Sequence, residues 1–159
     1  MKPKRGTDWP WEVSDSSRVM DATTIMRDTS LQARVRPLPP LAKKYAHEMQ
    51  AGVKFPPVSL ADVGGVLYLL DGWHRTEAAV VIGGHSAVEA TVRTMSKAEA
   101  GWEAAAANLK HGQGYTQGDK RNVLRLYIKA RKHKTGNDIV KSYRDMGAEL
   151  GIKLGTHIP

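Results

Sequence analysis

The residues best equipped for chemistry are consecutive: Asp71-Gly72-Trp73-His74-Arg75 sets a carboxylate, an imidazole and a guanidinium around one glycine. Apolar Val66 to Leu70 precedes them and Ala78 to Ile82 follows, so strand, tight turn and helix is the economical arrangement. Gly72 then lets the backbone turn or approach a ligand closely, while Arg75 and the first N–H groups of the helix converge on one point. Phosphate is the anion that such a point suits. Spacing alone leaves a second reading open, in which Asp71 caps the helix and Arg75 pairs with Glu48 or Glu77 on the surface. Asn108 and His111, followed by Gly112 and Gly114, form the other candidate cluster. They either project from a helix C-terminus into whatever lies opposite or merely cap it.

These groups need a scaffold, and the chain spells out most of one. Residues 1–18 are polar and turn-rich, an arm whose Trp9 and Trp11 are expected to dock on their own domain or on a second subunit. Ala22 to Arg27 has weak strand character. Prolines 37, 39 and 40 forbid a helix before about position 40. Leu41, Ala42, Tyr45, Ala46 and Met49 then recur at three and four, an amphipathic helix ended by Gly52. Val58 to Ala61 and Val66 to Leu70 flank a turn and predict a hairpin that delivers Asp71. Ala87 to Met95 alternates Val88, Ala90 and Val92 against Glu89, Thr91 and Arg93, a half-buried strand with Glu89 on the polar side. Ser96-Lys97-Ala98-Glu99 has the capping-box pattern and opens a helix through Asn108.

Charge is unevenly placed. The net value is +8, yet residues 1–109 hold 13 basic against 12 acidic side chains, whereas residues 110–159 hold 11 against 4. Such asymmetry points to a polyanion, nucleic acid before membrane; the plainer alternative is a solvated lysine-rich surface. Thr116 to Asp119 signals a helix start, and a helix over Lys120–Lys132 would place Val123, Leu124 and Tyr127 on one face and Arg121, Arg125, Lys129 and Lys132 in a stripe on the other. That stripe is the expected phosphate-backbone contact. A shorter helix is expected over Asn137–Met146, with an irregular, glycine-punctuated tail beyond it. The sequence has no cysteine, which excludes disulfides, thiolate metal sites and cysteine nucleophiles. No apolar run approaches membrane-spanning length and no signal-peptide pattern opens the chain, so a cytoplasmic protein without membrane attachment is expected.

In order and spacing these pieces resemble the ParB/sulfiredoxin superfamily, in particular its ParB-like N-terminal domain, from about Leu31 to about Leu126. The matching parts are Gln32-Ala33-Arg34 for the family's Gln-Pro-Arg, the Tyr45-Ala46 helix with Gly52 and Phe55-Pro56-Pro57, Asp71-Gly72-Trp73-His74-Arg75 for Gly-Glu-Arg-Arg, and Asn108 to Gly112 for Glu-Asn-Leu-Gln-Arg. The resemblance implies an α/β (α+β) fold, a small mixed sheet surrounded by helices with a C-terminal helical extension. It divides the chain into an arm (1–18), a nucleotide-binding domain (19–115) and a basic helical extension (116–159). It implies a nucleoside triphosphate, CTP or ATP, with Mg2+, and DNA as partner, in a possible homodimer. Gly72, His74 and Arg75 would meet phosphates, Asn108 the phosphates or the metal, Gln32 and Arg34 the base or phosphate side, and His111 the place of the motif's last arginine.

Departures from the pattern shape the expectation. Ala107 replaces the family's glutamate before the asparagine, which leaves Asp71 to supply the missing metal-directed oxygen. Sulfiredoxin chemistry requires a cysteine where Trp73 stands and is rejected. The free-serine kinases carry a similar Asp-Gly-His-His-Arg motif. An alternative is therefore a phosphoryl-transfer enzyme, an NTPase, kinase or nuclease, with Asp71 or His74 as general base and Arg75 steadying the phosphate. The residues after Lys132 look too short for two well-packed helices of a helix-turn-helix, so backbone-directed DNA binding is expected over operator reading.

Overall fold

The structure is a computed structural model that describes residues 3–28, 31, 39–110 and 116–151, with the backbone alone for 108–110. Its element order is β1 (Arg18–Asp21), a 3-10 turn (Ala22–Thr24), β2 (Ile25–Met26), α1 (Pro39–Gln50), β3 (Val58–Val63) and β4 (Val66–Asp71). There follow α2 (Trp73–Thr76), a π-helical segment (Glu77–Ile82), β5 (Ala87–Thr94), α3 (Lys97–Lys110), α4 (Gln117–Lys129) and α5 (Tyr143–Leu150). The strands form one sheet in the order β1-β5-β3-β4-β2. It is mixed: β1–β5 and β3–β4 pair antiparallel, β3–β5 and β2–β4 parallel. The β3–β4 hairpin turns on Gly64 and Gly65, both at positive φ, as a two-residue turn of the strands' own twist demands.

Alternation along the strands builds two apolar layers. Val58, Leu60 and Leu69 look toward α1 and the π segment, where Ala79, Phe55, Ile25, Trp9 and Trp11 complete the main core. Ala61 and Leu70 look the other way and pack against Ala100 and Ala104 of α3, together with Leu31. The opposite side of α3 carries Trp102 and Ala105, on which Val123, Leu124, Leu126 and Tyr127 of α4 and Met146 and Leu150 of α5 form a third cluster. The α4 start is the expected one: Thr116 and Asp119 make a reciprocal capping box.

Several expectations are corrected. Glu89 lies on the polar side of the β5 alternation yet is fully buried, because the arm folds over it. The arm itself is docked on its own domain, one of the two expected arrangements, with Trp9 and Trp11 7% and 2% exposed. The helix of the basic stripe ends at Lys129 rather than Lys132: Ala130 caps it, Arg131 turns to φ 60°, and Lys132 leaves the stripe to pair with Glu99 at 3.3 Å. The segment from Asn137 is not helical, since Lys134 and Val140 form a β-bridge and Asp138 sits at φ 62°. The helix begins instead at Ser142, whose hydroxyl accepts from the Asp145 N–H, and runs through Gly147 to a left-handed Gly151. After Lys132 the described residues hold one helix, α5, which packs on α4 and α3 through Met146 and Leu150.

Candidate functional site

Strand β4 ends at Asp71, and Gly72 makes the corner at φ 110°, ψ 26° before α2 begins. A Cβ at Gly72 would stand 2.5 Å from Val58 Cγ1 and 3.2 Å from Arg75 Nη2. The glycine is thus required by the corner and by its close approach to β3, whatever ligand approaches. Asp71 does not cap α2, whose N-cap is Gly72 with no side-chain bond, and Arg75 pairs with neither Glu48 nor Glu77. Its guanidinium turns back instead. Nη2 donates to Asp71 Oδ2 at 3.1 Å, and Nη1 donates to the carbonyls of Pro56 at 2.7 Å and Pro57 at 3.1 Å.

That placement gives Arg75 a structural duty as well as a charge. It ties the corner to the Phe55-Pro56-Pro57 segment, which in turn is clasped by the arm through the Phe55 N–H to Pro10 and the Glu12 N–H to Phe55. With its side chain only 14% exposed, the guanidinium acts in a medium of lower dielectric than water, where an anion is attracted more strongly. His74 is half-buried beside it. Thr76 Oγ1 and Trp73 Nε1 are buried without a hydrogen-bond partner among the described residues, two orphaned polar atoms in the same short segment.

Helix α3 packs along β4 on the face of the sheet away from the π segment. The Met95 N–H donates to Asp62 and the Lys97 ammonium lies 3.9 Å from the Tyr68 ring centroid, both beside the first half of β4, whereas Ala100 and Ala104 pack with Leu70 near its end. The last turn of α3 carries Asn108, whose side chain lies outside the described residues, as do Gln32, Arg34 and His111. Among the described residues no three His, Asp or Glu side chains gather as metal ligands. Asp71 engages Arg75 through one carboxylate oxygen, Oδ2.

One charged residue escaped the sequence reading. Arg27, just past β2, places its guanidinium 5.3 Å from the Trp73 ring centroid and donates from Nη1 to Glu77 Oε2 at 2.9 Å. No local pattern joins it to the corner, because the parallel pairing of β2 with β4 brings it there. On α4, Arg121, Arg125 and Lys129 are exposed along one side, with Arg125 also donating to Asn122. Among the described residues no helix is long and apolar enough to cross a membrane.

No protein-family model matches the sequence, and no curated protein matches it. Solved structures match it in shape. Sulfiredoxin from Arabidopsis thaliana aligns over 51% of this chain and 88% of its own, at 20% identity and a TM-score of 0.43. The C-terminally truncated chromosome-partitioning protein ParB from Caulobacter crescentus, complexed to the centromeric parS site, aligns over 86% of this chain and 65% of its own, at 12% identity and a TM-score of 0.58. The same protein complexed with CTP-gamma-S aligns over 86% and 72%, at 12% identity and a TM-score of 0.50. Identities this low speak for architecture alone. A mixed five-stranded sheet with helices on both faces is the architecture that this chain shares with the ParB structures, a ParB-like fold.

Proposed function

We propose that the chain binds a nucleoside triphosphate, CTP or ATP, at the Gly72 corner and associates with DNA through the basic side of α4. The observation that carries the first part is a largely buried arginine fork, Arg75, held at a left-handed corner. Phosphate oxygens would compete with Asp71 for Nη2, and a multiply charged triphosphate has the advantage over one carboxylate. His74 and Asn108 are the further phosphate contacts, with Gln32, Arg34 and His111 around them. Magnesium, when bound, would neutralise phosphate charge, and Asp71 and Asn108 would hold it. The structural neighbour complexed with CTP-gamma-S lends support by fold.

Calorimetric titration with CTP, ATP and GTP plus magnesium tests the site. Arg75→Lys keeps the charge and loses the fork, and is expected to weaken binding about tenfold or more. Undiminished binding by that variant, with its thermal midpoint checked because Arg75 also holds two carbonyls, removes the site from this corner.

For DNA, the expected signature is affinity that falls steeply with salt. The plot of log affinity against log salt should lose about 0.9 in slope for each phosphate contact removed, so Arg125→Ala and Lys129→Ala each flatten it. Lys132→Ala is expected to change the slope less, because that lysine pairs with Glu99 off the helix. Equal slopes for wild type, Arg125→Ala and Lys129→Ala take α4 out of the interface.

A further inference from the structure

We propose that Arg27 is a second phosphate-binding guanidinium of the same corner, one that Glu77 holds and a phosphate would take over. The inference rests on the triphosphate reading and deepens it. Strand β2 runs parallel to β4 with Met26 opposite Tyr68, so the chain leaving β2 travels alongside the end of β4 toward Gly72. Arg27 arrives from that edge, while Arg75 is anchored from the other edge by the Pro56 and Pro57 carbonyls beside β3. The two guanidiniums meet adjacent residues of the turn: Arg75 Nη2 lies 3.2 Å from a Cβ built on Gly72, and Arg27 stacks on the ring of Trp73.

Each arginine is matched by one carboxylate of the same corner, Asp71 for Arg75 and Glu77 for Arg27, and the four charges cancel. The two latches differ. Asp71 and Arg75 are 29% and 14% exposed, whereas Glu77 and Arg27 are 37% and 31% exposed. Both Arg27 nitrogens converge on a single oxygen, Glu77 Oε2, so the pair lacks the two parallel bonds of a fork-to-fork contact. A half-solvated, one-oxygen pair is the one that a polyanion displaces more easily. Once released, Arg27 keeps its seat over the Trp73 ring and remains aimed along the corner.

The test uses calorimetry of the full chain with inorganic triphosphate and with CTP and ATP, each on wild type, Arg27→Ala, Glu77→Gln and Arg75→Lys, with thermal midpoints measured in parallel. Arg27→Ala is expected to weaken every triphosphate about tenfold, the loss of one charge-assisted contact, with little change in midpoint. Glu77→Gln, which frees the arginine, is expected to tighten binding about threefold or more. If both variants lower the midpoint alike and leave affinity unchanged, the pair is a strut between β2 and the π segment and the inference falls. A loss in Arg27→Ala confined to CTP and ATP, with inorganic triphosphate unaffected, also overturns it, because the contact is then not with phosphate. Weakened binding by Arg75→Lys beside normal binding by Arg27→Ala overturns this inference alone. Wild type that binds none of the three overturns the triphosphate reading as well.

Discussion

Gly72→Ala is expected to lower the stability of the fold by about 4 kcal/mol, combining about 1–3 kcal/mol for a non-glycine residue in strained backbone with a similar amount for forced overpacking. Both contributions have a named origin. The backbone stands at φ 110°, where L side chains strain, and the new methyl would press to 2.5 Å from Val58 Cγ1. Urea denaturation measures the loss. In a Val58→Ala background the cost of Gly72→Ala should be about half as large, since trimming Val58 removes the 2.5 Å contact and leaves the φ strain in place. A single variant within about 1 kcal/mol of wild type would mean that the corner does not have this geometry. Arg75 would suffer too, because Nη2 lies 3.2 Å from the added atom, so triphosphate affinity should fall even in molecules that remain folded.

Glu89→Ala is expected to cost about 2–4 kcal/mol and to release the arm. The carboxylate is fully buried on β5 and accepts four hydrogen bonds: Arg5 Nε at 2.9 Å, Arg5 Nη2 at 2.6 Å, Trp9 Nε1 at 3.2 Å and Ser17 Oγ at 2.8 Å. Removing it strands the Trp9 N–H in the interior, and the tryptophan fluorescence of Trp9 and Trp11 should shift to the red as both meet water. The same group sets a pH dependence. Burial alone pushes the Glu89 carboxyl up, but the hydrogen bonds of Arg5, Ser17 and Trp9, with the charge of Arg5, outweigh it and hold the group below the ordinary glutamate range. A folded pKa below the unfolded one means that the contribution is complete above about pH 4.3 and fades as pH falls through the folded value. Acid should therefore undock the arm in wild type, while Glu89→Gln, having no charge to lose there, should show a lower and flatter midpoint across the acidic range. A Glu89→Gln profile that parallels wild type would show that this carboxylate does not govern the transition.

The candidate site was legible in part. Asp71, Gly72 and Arg75 stand out because a glycine between a strand pattern and a helix pattern is a local signal, and local signals survive in a sequence. What each does was less visible. Gly72 suggested a ligand's approach, and its tightest constraint is Val58 on the neighbouring strand. Asp71 and Arg75 looked like separate functional groups, whereas one helical turn lets them hold each other. Arg27 was missed altogether, since its partner Glu77 is 50 residues away and only the β2–β4 pairing joins them. The π geometry of Glu77 to Ile82 was equally hidden, because Ala78 to Ile82 reads as an ordinary buried helix.

Taken over the whole chain, the amino-acid sequence by itself determined the order of elements from α1 to α4, the β3–β4 hairpin, the α4 start at Thr116 and the apolar face of Val123, Leu124 and Tyr127. Each depends on residues within a turn or two of one another, where backbone sterics and hydrogen-bond geometry leave few choices. Tertiary structure alone decided which charges meet: Arg5 with Glu89 across 84 residues, Arg27 with Glu77, Lys132 with Glu99. It also decided that Glu89, polar by alternation, is the buried anchor of the arm. Periodicity records which side of a strand a residue lies on, but only the packing of a distant segment determines whether that side faces water.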